Sequence, residues 1–348
     1  MAKPPFLDNI ETPHNYGLAS TPNNIKAFEP QNEKFKSTFE DLSKHKILSY
    51  QTFKSLLDFG NDVLHRPLAY KIYNCGSRVG FSESRLVSAN FCRERICPMC
   101  QKRKSLKTYS DFCKILEKLS DFAFVHLVLT VPNCKSDELR ETLSRMEKAS
   151  TRFFNIAEVS TAFKGVARCT EVSYNSKTIT FHPHFHCLIA VNKSYFKSRF
   201  YIKRERLQHL WSVVWRLASE YDCTDSKKLS SRLRSYKDSF ISDFPLRESD
   251  RLQIYVAKAD EGALPEIAKY AVKPLELELT NKERASVLIA LYEGLKHKRL
   301  IQTYGVIKQA SAECKICFDD EEQLPSVDEK SISFYNFNYR LLQYEKGD

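Results

Sequence analysis

The sequence of 348 residues lacks any run of 18 apolar residues, and it begins with a polar stretch from Met1 to Pro5. A membrane-spanning helix needs about 20 mostly apolar residues, and a secretion signal needs an apolar segment after a basic start. We therefore expect no membrane span, no secretion and no membrane partner. The sequence predicts a cytoplasmic protein.

The absence of a secretion signal also bears on the eleven cysteines. In a reducing cytoplasm, cysteines are thiols or metal ligands more often than disulfides. Four of them have the spacing Cys75-x16-Cys92-x4-Cys97-x2-Cys100, with Pro98 inside the last turn. Four thiolates suit tetrahedral zinc, so we predict a structural Zn2+ site. The alternative is a set of buried or free thiols.

The chain is basic, with a formal net charge of +11 and a pI near 9.0. This balance favours a polyanionic partner such as nucleic acid. Basic residues surround the cysteine module and are expected to contact a DNA backbone: Arg93, Arg95, Lys102, Arg103, Lys104 and Lys107. Further basic clusters at 197–206 and 227–237 are either solvated surfaces or DNA contacts. Single-stranded DNA would also stack on aromatic residues, but the sequence does not choose among 23 Phe, 17 Tyr and 2 Trp.

Apolar periodicity predicts a mixture of helices and strands. Helices are predicted at 41–70, 101–119, 135–157, 203–220 and 281–297. Strands are predicted at 124–131, 166–174, 178–191, 252–258 and 300–308, and the polar Asn175-Ser176-Lys177 predicts a hairpin. Strands in hairpins with helices between them indicate an α+β domain, which we expect to be an antiparallel sheet with helices on one face.

The strand at 178–191 carries His182, His184 and His186 at every second position. Alternate residues of a strand face the same side, so these imidazoles project together. Such a cluster is typical of a divalent-metal site, and the alternative is a solvated sheet face. If Ser176-Lys177 forms a two-residue turn, Glu171 lies opposite His182 and diagonal to His184, within reach of the same ion. Otherwise Glu171 is a solvated strand residue.

A short helix is predicted between Pro265 and Pro274, since proline suits the first turn and cannot continue a helix. Glu266 and Tyr270 are four residues apart on one face, and Lys273 lies close to that face. A carboxylate, a phenol and an ammonium can form a reaction centre, but this pattern is common in helices without one.

Taken together, these motifs resemble the HUH endonuclease superfamily, and more closely the replication initiators of rolling-circle plasmids. The resemblance runs from about Cys75 to Lys308. It rests on four segments in the family's order: Leu129–Asn133, Glu171–Asn175, His182–His186 and Glu266–Lys273. It implies an HUH-type α+β domain and four regions: a flexible arm (1–40), a helical and cysteine-rich zinc module (41–119), a nicking–joining catalytic domain (120–308) and an acidic C-terminal tail (309–348).

The resemblance also implies the chemistry. Tyr270 would attack a phosphodiester at the plasmid origin, within single-stranded or hairpin DNA, and form a 5′-phosphotyrosyl link. The free 3′-OH would prime a polymerase, and a host helicase is an expected partner. His184 and His186 would bind a catalytic Mg2+ or Mn2+, with His182 a third ligand or an outer partner.

Two residues of the short helix each have two alternative roles. Glu266 would act as a general base that resolves the covalent intermediate, or it serves only the helix terminus. Lys273 would lower the tyrosine pKa or hold a phosphate, or it is simply solvated.

Other functions remain open. A transposase or mobilisation relaxase of the same superfamily would use the same tyrosine chemistry. A zinc-dependent DNA-binding protein without enzymatic activity would need no tyrosine, and a metal-dependent hydrolase would cut DNA without a covalent link. The isolated pair Cys314 and Cys317 is interpreted as ordinary thiols, since no two further ligands lie nearby in the sequence.

Overall fold

A computed structural model describes residues 33–61, 63–220, 226–259, 279–318, 324, 328 and 331–347. Its helices are α1 (Glu33–Phe59), α2 (His65–Asn74), α3 (Pro98–Lys118), α4 (Leu139–Phe154), α5 (Ala157–Ala162), α6 (Arg204–Ser219), α7 (Ser226–Ser235), α8 (Asp238–Asp243), α9 (Asn281–Leu295) and α10 (Gly305–Glu313). Its strands are β1 (Arg78–Ser82), β2 (Arg85–Ala89), β3 (Phe122–Thr130), β4 (Gly165–Asn175), β5 (Thr180–Asn192), β6 (Ile254–Lys258), β7 (Ile301–Tyr304), β8 (Ser333–Asn338) and β9 (Gln343–Lys346). No helix in these ranges is long and apolar enough to cross a membrane.

A five-stranded sheet in the order β6-β3-β5-β4-β7 forms the centre of the molecule, and every pair of neighbours is antiparallel. This confirms the predicted α+β class with an antiparallel sheet. On one face, Phe185 and Ile189 of β5 are buried in a core that includes Trp211 of α6. The indole of Trp211 donates a hydrogen bond of 2.7 Å to the carbonyl of Thr130 at the end of β3.

The opposite face of this sheet is also covered by helices. Leu188 and Ala190 of β5 are buried there with Phe112 of α3 and Ile307 of α10. The prediction of helices on one face alone is therefore wrong. The reason lies in β5, where residues 187–191 are continuously apolar and would expose alternate side chains to water unless both faces were covered.

The turn between β4 and β5 is longer than predicted. The last pair is Asn175 with Thr180, so the turn has the four residues 176–179. The Asn175 side chain accepts hydrogen bonds from the backbone N–H groups of Lys177 and Thr178, and Ile179 has a positive φ of 54°. Two extra residues shift the register by two, so every side chain keeps its predicted face.

The predicted strand at 300–308 is wrong in its second half, because α10 begins at Gly305. Gly305 has a φ of +57°, and a Cβ at this position would lie 2.1 Å from the carbonyl oxygen of Lys164. Only glycine fits such a close approach in the left-handed region. The glycine therefore ends β7 and turns the chain into a helix.

A second sheet, in the order β2-β1-β8-β9, joins the cysteine-rich region to the far end of the chain. Tyr335, Phe337 and Tyr344 of the last two strands are buried with Val79 and Phe81 of β1. The predicted acidic tail of residues 309–348 therefore contains half of a sheet. These short strands with alternating aromatic residues were not predicted from the sequence, because the neighbouring acidic run dominated the interpretation of this segment.

Two N-terminal boundaries also differ from the prediction. Helix α1 begins at Glu33, inside the predicted arm of residues 1–40, and the predicted helix at 41–70 is two helices. The break follows Gly60, where the side chain of Asn61 accepts hydrogen bonds from the backbone of Val63 and Leu64. An asparagine that bonds its own backbone competes with helix formation.

Candidate metal centres

Two neighbouring strands bring together the carboxylate and the imidazoles of the first candidate centre. Glu171 of β4 lies directly opposite His184 of β5, not opposite His182 as the shorter turn predicts. His186 follows two residues later on the same strand and therefore points to the same face. The structure thus brings together Glu171, His184 and His186, and these three form one of two groups in the described part of the chain that could hold a metal ion.

The three side chains are close and largely shielded from solvent. A carboxylate oxygen of Glu171, Oε2, lies 2.9 Å from Nε2 of His186 and 3.4 Å from Nε2 of His184. Only 2% of Glu171 and 8% of His184 are exposed. Burial raises the pKa of Glu171, but the bonds to both imidazoles outweigh it and hold the pKa well below its usual range. The carboxylate is therefore charged and can face a cation.

Backbone and side-chain partners orient the two imidazoles. Nδ1 of His184 lies 3.1 Å from the carbonyl oxygen of His182, which can only accept a hydrogen bond. Nδ1–H of His184 therefore donates to this carbonyl, and Nε2 is the nitrogen that faces Glu171 and could bind a metal. An imidazole whose second nitrogen is fixed in this way is the usual form of a metal ligand.

His126 is positioned to orient His186 in the same way, and it was not among the predicted site residues. Its Nε2 lies 3.2 Å from Nδ1 of His186, and the two rings stack with centroids 5.4 Å apart. His126 lies on β3, is 7% exposed, and meets the edge of the Tyr255 ring. One sequence feature could have indicated His126: it is a histidine within an otherwise apolar strand. Its position in the alternation of that strand puts it on the same sheet face as His184 and His186.

We expect the substitution His126→Phe to weaken Mn2+ binding by about 10- to 100-fold, as loss of an outer hydrogen bond to a ligating histidine typically does. Phenylalanine retains the ring volume but cannot hold Nδ1 of His186. Isothermal titration with Mn2+ measures the change. The control is His209→Phe, which removes an α6 imidazole that bonds to the carbonyl of Ser242 on α8. Equal affinities for His126→Phe and the wild type would contradict this role.

His182 is close to this centre but does not belong to the group. Its Nδ1 lies 2.7 Å from the side-chain oxygen of Asn133, and its ring centroid is 5.2 Å from that of His184. Asn133 follows β3 and also donates to the hydroxyl of Thr180. The geometry therefore favours His182 as an outer partner of the ligands, not as a ligand itself. The predicted residues Glu266, Tyr270 and Lys273 lie outside the described residues.

The second candidate centre is made by four cysteines between α2 and α3. The sulfurs of Cys75, Cys92, Cys97 and Cys100 all lie within 4.8 Å of one another. The Cys75 and Cys100 sulfurs are 3.5 Å apart, and those of Cys92 and Cys100 are 3.7 Å apart. Four sulfurs at this spacing match a tetrahedral site with metal–sulfur distances near ~2.3 Å.

Backbone donors and one buried lysine surround this cluster. The N–H groups of Cys92 and Arg93 point to the sulfurs of Cys75 and Cys100 at 3.4 and 3.2 Å. Lys46 is fully buried, and its ammonium donates to the carbonyls of Tyr73 and Cys75 at 2.5 and 2.7 Å. Burial lowers the pKa of Lys46 to about 8, while the nearby thiols act in the opposite direction. The Lys46 amine thus lies beside the first cysteine of the cluster.

Hydrogen bonds from the second sheet reach the same segment. The hydroxyl of Tyr339 donates to the Tyr73 carbonyl at 2.6 Å, and that of Tyr344 donates to the Gly76 carbonyl at 2.5 Å. Strand β8 pairs with β1, which follows Cys75 directly. The C-terminal strands therefore hold the backbone that presents the first cysteine.

The fold and these two centres define a class: an α+β protein with one histidine–carboxylate centre and one four-cysteine centre. A family model described as "Replication protein" matches residues 83–340, which is most of the chain and includes the histidine–carboxylate centre. The chain belongs to this family of replication proteins.

Three relatives show how far the similarity extends. The chain is 29% identical over 285 residues to a protein of Bacillus sp named "Protein rep", covering 78% of this chain and 89% of the relative. It is 30% identical over 253 residues to a "Protein rep" of Streptococcus pneumoniae, covering 70% of each. It is 27% identical over 291 residues to a "Protein rep" of Bacillus amyloliquefaciens, covering 79% and 81%. No solved structure matches the chain.

Proposed function

We propose that this protein initiates rolling-circle replication of a plasmid by nicking and rejoining DNA at the origin. The observation that carries the proposal is the buried group of Glu171, His184 and His186 in a chain that belongs to a replication protein family. Two imidazole nitrogens and a carboxylate suit a divalent ion such as Mn2+ or Mg2+. When bound, such an ion polarises the phosphate that is attacked.

Tyr270 is proposed as the nucleophile. Its phenolic oxygen attacks the phosphorus at the nick site, the bond from phosphorus to the 3′ oxygen breaks, and the phenolic proton is lost as the 3′ oxygen gains one. The products are a 5′-phosphotyrosyl link and a 3′-OH that primes the polymerase. A phenol has a pKa near ~10 and needs activation, for which Lys273 is the proposed residue.

Glu266 is proposed to end the reaction. A carboxylate four residues before the tyrosine in the sequence can accept a proton from water or from an incoming 3′-OH, and this step releases the protein from the 5′ phosphate. Glu171 is not proposed as this base, because its Oε2 faces the imidazole nitrogens of His186 and His184 at 2.9 and 3.4 Å and belongs to the candidate metal centre.

The four-cysteine centre is proposed to hold a structural Zn2+. The partner is origin DNA with a single-stranded or hairpin nick site, and the net charge of +11 supports binding to a polyanion. Basic side chains line the surface beside the cysteines, among them Arg93, Arg103 and Lys107. A host helicase and polymerase complete the proposed set of partners.

The test is incubation with a supercoiled plasmid that carries the protein's own replicon, in Mn2+ or in EDTA. We expect a metal-dependent nick with protein attached to DNA under denaturing conditions. The variant Tyr270→Phe should give neither nick nor adduct, because phenylalanine has no nucleophilic oxygen.

The matched control is Tyr255→Phe, which removes a hydroxyl from a ring that lies beside His126 near the metal centre. It should leave the adduct in place. Nicking without any adduct would indicate a hydrolase, and tight binding without nicking would indicate a DNA-binding protein that lacks the activity. Either result would overturn the proposed mechanism.

A further inference from the structure

The connection between β5 and α6 exposes three aromatic rings that lie outside the buried cores of the described residues. Phe196, Phe200 and Tyr201 are 37%, 44% and 46% exposed. We call residues 193–204, in which they lie, the aromatic loop. Single exposed aromatic residues are common on protein surfaces, but three within six residues form a concentrated apolar patch.

The same loop is strongly basic. It contains no acidic residue and has five exposed cations: Lys193, Lys197, Arg199, Lys203 and Arg204. The Arg199 guanidinium lies 5.0 Å from the centroid of the Phe200 ring. In contrast, the next cation, Arg206, is held by the carboxylate of Glu158 and by Ser242. Among the loop cations, Lys193 lies 3.8 Å from the exposed carboxylate of Asp121. The cations of the aromatic loop are thus exposed to solvent, whereas Arg206 serves the fold.

The loop is held in a defined shape. Tyr195 and Ile202 are buried at its two ends, and the N–H of Ile202 donates to the Tyr195 hydroxyl at 3.2 Å. The backbone N–H of Phe200 donates to the Ser198 hydroxyl, and that of Tyr201 donates to the Ser198 carbonyl. Tyr195 also contacts the rings of Phe196 and Tyr201. The exposed rings therefore project from a fixed support.

We propose that the aromatic loop binds single-stranded DNA, with unpaired bases stacked on Phe196, Phe200 and Tyr201 and phosphates held by the surrounding cations. The combination of exposed rings and positive charge is how proteins bind single strands without reading sequence. Duplex DNA hides the faces of its bases and would meet only the cations. The choice of DNA as the nucleic acid rests on the proposed function.

The position of the loop relates it to the metal centre. Strand β5 carries His186 and runs directly into the loop, and Lys193 is seven residues further along the chain. At ~3.3 Å per residue the separation is roughly 23 Å. This distance corresponds to about seven stacked nucleotides at ~3.4 Å each. A single strand would need at least about this length to contact the loop and the histidine–carboxylate centre together.

The test is fluorescence anisotropy with a labelled oligothymidylate of about 20 nucleotides and a duplex of equal length, each titrated with the full chain. We expect the double variant Phe200→Leu/Tyr201→Leu to bind the single strand about 10- to 100-fold more weakly, since leucine keeps apolar area but offers no ring for stacking. Duplex binding should change by less than about twofold, because the cations remain. Phe59→Leu is the control, since it removes a ring that is 49% exposed at the end of α1.

A second variant separates charge from stacking. Lys197→Gln should weaken single-strand and duplex binding alike and reduce the slope of log affinity against log salt by about one. Unchanged single-strand affinity in the leucine variant would overturn the proposal. An equal loss of duplex affinity in the leucine variant would also overturn it. A changed oligomeric state of that variant with intact DNA binding would overturn it too and would indicate a protein-binding surface.

The outcome is independent of the nicking test. If the wild type forms no tyrosyl adduct but the leucine variant binds single strands more weakly than the wild type, the proposed reaction is refuted and the role of the loop is supported. An adduct that forms normally while the leucine variant binds single strands as the wild type does would refute the loop and support the reaction.

Discussion

Replacement of His184 with alanine is expected to abolish metal-dependent nicking, with a loss of at least about a thousandfold. The imidazole supplies one of three donors around a buried site, and Glu171 Oε2 lies 3.4 Å from its Nε2. A bound divalent ion contributes several kcal/mol to transition-state stabilisation, and each ~1.4 kcal/mol is a factor of ten in rate. Nicking assays and Mn2+ titration together measure the effect.

His182→Gln is the matched control for this experiment. His182 precedes His184 by two residues on the same strand and face, but its Nδ1 bonds to Asn133. We expect this variant to bind Mn2+ nearly as well as the wild type. A loss equal to that of His184→Ala would show that the ligand set includes all three histidines and would contradict the set of two histidines and one carboxylate.

The second large effect concerns the cysteine cluster. Cys97→Ser is expected to eliminate bound zinc and lower the melting temperature by about 10 °C or more, since structural zinc supplies folding free energy directly. Cys97 is fully buried, and its sulfur lies 3.7 Å from the hydroxyl of Ser49 on α1. Elemental analysis for zinc and a thermal unfolding scan give the two readouts.

Cys113→Ser is the control, because Cys113 lies on α3 outside the cluster and is partly exposed. It should retain zinc and melt close to the wild type. The opposite outcome would be purified wild-type protein that contains no zinc and whose stability changes neither with a chelator nor with Cys97→Ser. That outcome would show that the cluster is a set of ordinary buried thiols.

The sequence was most informative where the pattern is local. The alternation of His182, His184 and His186 with apolar residues fixed the strand and its faces, and the cysteine spacing located a cluster that the structure brings within 4.8 Å. Both signals depend on residues close in the chain, where geometry follows from a period of two or from a tight turn.

Non-local relations were less accessible. Glu171 meets His184 and not His182 because turn length sets strand register, and the turn contains two more residues than predicted. His126 reaches the centre only because β3 pairs with β5, and nothing near His126 in the sequence indicates that partner. Strands β8 and β9 were missed because β8 pairs with β1, which lies far from it in the sequence, and β9 in turn pairs with β8.

The pairing of β8 with β1 has a consequence for how the protein is made. Synthesis proceeds from the N-terminus, so the hairpin of β1 and β2 leaves the ribosome long before the strands that complete its sheet. An isolated two-stranded hairpin is marginally stable in water. The backbone around Cys75 therefore lacks the support of Tyr339 and Tyr344 until the segment that contains β8 and β9 has been made, and a product truncated before Ser333 lacks half of this sheet.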